Sequence, residues 1–301
     1  MLSDAVERYI ALHRATGYLF RSESTQLRFF AREATRRGDE VVRCRTALEW
    51  AAEASSPAAR RWRIHLVRRF AQRMSAEDTR HEVPPPDSFG PLPPRRTPHI
   101  FAPAEIRQLL ELAASLGGSL RPRTYATLLA LLACTGLRIS EALALQMVDL
   151  TGEGLVIRST KFKKSRLVPL HPTARRALQD YLLKRRRYPP KDGSLFVSER
   201  GTRLRYVAVN ATFLRLVRAL GFHPGPGRRG PRLHDLRHTF AVRSLEQCAT
   251  ESGAVARHML ALGTYLGHTS FASTYWYLQA TPQLMAGVAV QSESWLMGGA
   301  R

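Results

Sequence analysis

Two arginines, two histidines and a tyrosine are the residues of this chain best suited to chemistry on a phosphodiester. The late cluster reads His234-Asp235-Leu236-Arg237-His238, then Leu266-Gly267-His268, then Thr274-Tyr275-Trp276-Tyr277. Arg138, within Thr135-Gly136-Leu137-Arg138-Ile139-Ser140-Glu141, lies far upstream. Phosphodiester transfer needs its non-bridging oxygens neutralised, an attacking oxygen, and a proton donor for the departing one. Arginine suits the first task because its planar fork donates two nearly parallel hydrogen bonds. His234 and Arg237 are spaced to share one face at the opening of a helix, and His238 is placed to anchor backbone nearby. His268 follows a glycine that permits a tight turn and precedes Thr269 and Ser270, which can cap a helix. A phenol is a weak nucleophile with a reference pKa of about 10, but positive charge around it favours the ionised form. Its phosphodiester can later be attacked by a DNA hydroxyl. Residue chemistry leaves Tyr275 and Tyr277 both open, with Tyr265 nearby.

The charge balance points to the same substrate class. The 301-residue chain has 46 Lys and Arg against 24 Asp and Glu, a formal net charge of +22. A protein so far from neutral suits a polyanionic partner, nucleic acid first among them. Lysine occurs only at Lys161, Lys163, Lys164, Lys184 and Lys191. The packed group at 161–164 stands out because lysine, unlike arginine, can give up a proton. Cys44, Cys134 and Cys248 are too few and too scattered for a disulfide framework or a zinc site, which fits a reducing cytoplasm. No signal-like segment opens the chain and no apolar run is long enough to span a membrane, so a cytoplasmic, DNA-associated protein is expected.

Several elements must position these groups. Residues 1–82 read as a compact helical domain. Leu2, Val6, Tyr9 and Ile10 recur at helical spacing, as do Leu27, Phe30, Ala31 and Ala34. Further helices are expected over 43–53 and 57–74, with Pro57 at a helix start and Ser55 or Ser56 as cap. Arginines at 60, 61, 63, 68, 69 and 73 surround Trp62, Leu66 and Phe70, predicting an apolar side with an extensive basic surface. Residues 83–98 hold seven prolines and read as an extended, partly stiff linker, with Gly90 as its bend.

Beyond the linker, helices are expected over 102–115, 124–134 and 139–147. A hairpin with strands at 155–158 and 166–170 should follow, then helices over 172–187 and 207–220. Gly221–Gly230 reads as a glycine-rich loop, with helices resuming near His234, after Glu251, and over 273–278.

The four boxes together resemble the tyrosine recombinase (phage integrase) family. Arg138 in Thr-Gly-Leu-Arg-Ile-Ser-Glu resembles its first arginine box, His234-Asp-Leu-Arg237-His-Thr-Phe its second box, and Leu266-Gly-His268-Thr-Ser its third. The family's nucleophile lies nine positions after that last histidine, which selects Tyr277 and leaves Tyr275 as a neighbour. Matching Thr160-Lys161-Phe-Lys-Lys-Ser-Arg-Leu-Val-Pro-Leu170 to the family's hairpin makes Lys161 the general acid, with Lys163 as its rival.

The resemblance implies a mainly α fold with a small β-hairpin. A helical core-binding domain (1–82) and a mixed α/β catalytic domain (99–284) would close as a C-shaped clamp on DNA. The linker would occupy 83–98, and a tail (285–301) would contact a neighbouring protomer or fold back on its own domain. DNA contacts are expected from Arg61, Arg69, Lys163, Lys164 and Arg166. The implied reaction is site-specific recombination through a 3′-phosphotyrosyl intermediate, without metal, ATP or other cofactor. Partners would be double-stranded DNA bearing specific sites, three further copies in a synaptic tetramer formed from free monomers, and other recombinases. The Ser-Thr-Tyr-Trp-Tyr-Leu wording is similar to that of mobile-element integrases and transposases. A type IB topoisomerase-like enzyme and a non-catalytic DNA-binding module are the competing readings.

Overall fold

The computed structural model describes residues 1–91, 96–158, 165–222, 230–247 and 254–267. The chain forms two compact units, Met1–Arg96 and Thr97–Arg301. The fold is mainly helical, and the sheet formed by the described residues is a single two-stranded hairpin.

The first unit contains α1 (Leu2–Ala15), α2 (Arg21–Arg36), α3 (Cys44–Ala52) and α4 (Pro57–Ser75). The apolar positions expected to form a stripe on α1 and α2 are all buried in one core, joined by Trp50, Val67 and Phe70. Each large side chain so buried contributes roughly 1.5–3 kcal/mol. Ser56 caps α4 by accepting a hydrogen bond from the Ala59 N–H at 3.2 Å, while Pro57, which has no N–H to satisfy, opens the first turn.

Trp62 departs from the expectation. It is 39 % exposed, because the buried face of α4, made by Ile64, Leu66, Val67, Phe70, Ala71 and Met74, begins only at Ile64 and leaves Trp62 in the uncovered first turns. The basic surface of α4 is also smaller than its arginine count suggests. Arg60 donates to the Ala54 carbonyl and Arg63 to that of Trp50, while Arg68 and Arg61 donate to the carbonyls of Pro84 and Gly90. Val83 and Phe89 pack against the helical core, so the first half of the proline-rich stretch is seated on this unit.

The second unit contains α5 (Pro103–Ala114), α6 (Arg121–Thr135), α7 (Ile139–Ala144), β1 (Gly154–Ile157), β2 (Arg166–Pro169), α8 (Pro172–Arg185), α9 (Tyr206–Ala219), α10 (Leu233–Glu246) and α11 (Ala254–Leu266). α7 stops short of the expected residue 147, and Met147–Asp149 forms a separate 3-10 turn. β1 and β2 pair antiparallel from Gly154 opposite Pro169 to Ile157 opposite Arg166. Val197 forms an isolated antiparallel bridge with Arg203. A large core gathers Leu128, Leu132, Tyr181, Phe196 and Phe213. A smaller cluster joins α10 to α11 through Ala241, Val242, Leu245, Met259, Leu262 and Leu266. The helix expected over 273–278 and the tail at 285–301 lie outside the described residues.

Candidate active site

The turn that ends α6 builds the first wall of the site. Gly136 adopts a left-handed conformation (φ +61°), and its N–H closes the helix on the Leu132 carbonyl at 3.0 Å. A Cβ there would lie 2.5 Å from Phe240 of α10 and 3.0 Å from Leu266, so only glycine lets these elements approach. The Gly136 carbonyl then accepts a hydrogen bond from Arg237 Nη1 at 2.7 Å. Arg237 Nη2 donates to the Leu266 carbonyl, also at 2.7 Å. The guanidinium is 2 % exposed and its fork is held in a fixed orientation.

Arg138, at the start of α7, reaches the same peptide. Its Nη2 donates to the Gly267 carbonyl at 3.0 Å and its Nη1 to that of Leu266 at 3.4 Å. Two arginines distant in sequence therefore converge on the Leu266–Gly267 backbone, and His268 is the next residue in the chain. Gly267 is left-handed too (φ +68°), and a Cβ on it would sit 2.9 Å from Arg166 Nη1.

Glu141 organises the outer arginines. Its Oε2 accepts from the Arg138 backbone N–H at 2.9 Å and from Arg166 Nη2 at 2.8 Å, while its Oε1 accepts from Arg138 Nη1 at 2.9 Å and Arg166 Nη1 at 3.1 Å. Burial alone would raise the Glu141 pKa, but Arg166 and Arg138 together hold it below the usual carboxylate value. Two guanidinium groups on one carboxylate leave this group net positive, as a phosphate site requires. Arg166, expected to touch DNA from a hairpin surface, is mostly buried in this ion-pair group, and its Nε has no hydrogen-bond acceptor among the described residues.

His234 opens α10 beside Arg237. Burial and the charges of Arg237, Arg232 and Arg138 push its imidazole down to about 4, with Asp235 opposing. The side chain keeps an exposed face towards solvent. Its ring meets that of His238 edge-on, with centroids 4.6 Å apart. Asp235 is fully buried and caps the helix, accepting from the Arg232 N–H at 2.9 Å and from Arg232 Nη2 at 2.8 Å.

Tyr265 is stacked on Phe240, with burial as the main cause of a pKa pushed up to about 12. A phenol so strongly held in its protonated form is poorly suited to attack. Lys161, Lys163, Lys164, His268, Tyr275 and Tyr277 lie outside the described residues. In the first unit Arg69 is exposed, with no hydrogen bond or ion pair among the described residues, whereas Arg61 is committed to Gly90 and Asp87. Among the described residues no group of three His, Cys, Asp or Glu side chains is placed to hold a metal ion, and no helix is long and apolar enough to cross a membrane.

Residues 100–283 match the phage integrase family. The chain belongs to that family, whose members include the tyrosine recombinases. A tyrosine recombinase XerD of Caulobacter vibrioides is 31 % identical over 241 residues, covering 79 % of this chain and 75 % of the relative. A Sinorhizobium fredii protein that carries an integrase/recombinase name, y4rB, is 36 % identical over 293 residues and covers 93 % of each chain. Among solved structures, a XerH site-specific recombinase bound to palindromic difH substrate is similar with a TM-score of 0.66 at 18 % identity, covering 90 % of this chain and 79 % of that one. The Tn1549 transposon integrase bound to transposon right-end DNA is similar with a TM-score of 0.63 at 19 % identity, covering 91 % and 94 %. At these identities the structural likeness is one of fold.

Sequence reasoning passed over Glu141, Arg232 and Asp235 as parts of this candidate site. A signal existed for two of them, since an acidic residue at the third position of a helix commonly caps its N-terminus. Nothing local announced that Glu141 would also take Arg166 from the hairpin.

Proposed function

We propose that the protein is a site-specific DNA recombinase of a mobile element, cleaving DNA through Tyr277. The observation that carries this reading is the convergence of Arg138 and Arg237 on the Leu266–Gly267 peptide, directly before His268. A scissile phosphate set against this group would meet the partly exposed Arg138 guanidinium and the His234 imidazole, with the buried Arg237 charge directly behind them. These groups would stabilise the charge that builds up in the pentavalent transition state.

Tyr277 Oη, its proton already lost to solvent because the surrounding positive charge favours the phenolate, attacks the phosphorus and the bond to the 5′ oxygen breaks. Lys161, or Lys163 in its place, gives that oxygen a proton, leaving a 3′-phosphotyrosyl enzyme and a free 5′ hydroxyl. A 5′ hydroxyl from a second duplex then attacks the phosphotyrosyl bond, joining exchanged strands and releasing the tyrosine. The bond energy stays in the intermediate, so this scheme uses no ATP. The first unit would also grip DNA, with Arg69 as its phosphate contact. Four protomers would assemble on two duplexes, with the tail at 285–301 governing when Tyr277 is presented. The mobile-element role rests on the integrase-like wording around Tyr277 and on the y4rB relative.

A nicked suicide substrate, drawn from the element's ends, tests the chemistry. The wild-type chain and Tyr275→Phe should accumulate a covalent DNA adduct, and Tyr277→Phe should form none. An adduct that survives in Tyr277→Phe would overturn the assignment. Relaxation of one duplex without exchange between two would favour a topoisomerase, and no adduct at all would favour a binding module.

A further inference from the structure

The residues leading out of the proline-rich stretch do not lie loosely on the second unit. Phe101 is fully buried in its main core, and Ile100 packs with the α10–α11 cluster. His99 meets Phe101 edge-on, with ring centroids 4.5 Å apart. The Phe101 backbone N–H donates to Thr239 Oγ1 at 2.9 Å, and this hydroxyl donates to the Asp235 carbonyl, one turn earlier on α10, at 2.8 Å. Thr239 and Asp235 are both buried, at 3 % and 0 % exposure. Asp235 in turn binds the backbone and side chain of Arg232. A continuous line of hydrogen bonds therefore runs from Phe101, through Thr239 and Asp235, to the start of the helix that carries His234 and Arg237.

One atom performs the joining. Thr239 Oγ1 accepts from the Phe101 segment while donating within α10, which a hydroxyl can do and a methyl cannot. Valine would keep the shape and lose both bonds, whereas serine would keep both bonds and lose only a methyl. Arg237 has little room to shift independently, because its fork is already held by Gly136 and Leu266. A change in the seating of α10 would therefore be felt most at His234 and at the angle of the Arg237 fork.

We propose that Thr239 is a positioning residue, tying the Phe101 segment to α10 and thereby presenting His234 and Arg237 to the scissile phosphate. The inference rests on the recombinase reading. Residues 97–102 open the second unit, and their seating bears on α10 through this hydroxyl. Thr239 is buried away from the surface, so on this proposal it acts on the rate of cleavage and not on affinity.

The test compares the full-length wild type with Thr239→Val and Thr239→Ser. Single-turnover adduct formation at saturating DNA should slow about 10- to 100-fold in Thr239→Val, with Kd for the same DNA changed by less than about twofold. Thr239→Ser should stay within about threefold of the wild type in rate. Independently of activity, the His234 imidazole, followed by NMR, should titrate near about 4 in the wild type and in Thr239→Ser. In Thr239→Val it should move towards the ordinary histidine value, as the ring shifts from its guanidinium neighbours. Equal cleavage in Thr239→Val and wild type, or cleavage lost in step with DNA affinity, would overturn the proposal. If the wild type forms no adduct, the recombinase reading fails, and the titration then decides whether Thr239 positions His234; an unmoved midpoint rejects it. Should Thr239→Val not fold, Thr239→Cys, with a much weaker donor and acceptor, takes its place under the same criteria.

Discussion

Glu141 carries more of the site than its absence from the reacting groups suggests. It binds Arg138 through backbone and side chain and holds Arg166 with two further bonds. Removing one partner from a buried ion pair costs about 3–5 kcal/mol. Glu141→Gln should fall near the lower end of that range, since the amide still accepts hydrogen bonds; urea denaturation measures it. Adduct formation should drop as well, because the two cations then repel and Arg138 loses its aim. The Glu141 pKa is lowered on folding, so its contribution is complete above the unfolded carboxylate value and fades as pH falls through the folded one. His234 produces a pH dependence in a different window. With its pKa lowered to about 4, the unfolded chain binds the extra proton between that value and the ordinary histidine value of about 6.5. The His234 contribution to stability is therefore present at neutral pH and declines as pH drops through that window. Denaturation midpoints at pH 7 and pH 5 should diverge more in the wild type than in His234→Gln. A matching divergence in both proteins would show that His234 is not the source.

The elements matter chiefly through their ends. α6 must stop at Gly136 in a left-handed turn, because this turn both admits Phe240 and supplies an acceptor to Arg237. Gly136→Ala should cost at least about 2 kcal/mol, combining left-handed strain with overpacking. Thermal unfolding reads the loss, and adduct formation should fall further than the folded fraction. Among the described residues helix existence was legible because apolar periodicity is local, and α1 and α2 follow it closely. The limits of that reading appear at α7, which ends early, and at Trp62, which lies outside the buried stripe of α4. Spacing places a side chain on a helix face, but the neighbouring helices decide how wide the covered face is. The arginines of α4 make the same point, since four of them hold carbonyl groups of the surrounding chain rather than facing solvent.

At the scale of the whole molecule, the charge of +22 predicts DNA binding that weakens steeply with salt. Arg69→Gln should lower the slope of log K against log salt by about 1 and leave stability unchanged. Arg61→Gln should instead destabilise the fold, because Arg61 holds the Gly90 segment. Fluorescence anisotropy over a salt series, with a denaturation curve for each variant, separates the two roles; equal slopes for Arg69→Gln and wild type would remove Arg69 from the interface. By itself the amino-acid sequence determined the chemical repertoire, the order of the arginine and histidine boxes, the run of helices and the polyanion partner. Those properties are carried by residue type, local periodicity and total charge, none of which requires knowing what meets what. Tertiary structure alone decided that Arg138 and Arg237 share one peptide, that Glu141 captures Arg166, and that Thr239 ties α10 to Phe101. Such pairings form where turns distant in the chain pack together, so each depends on the shape of the whole core and leaves no mark in any single stretch of residues.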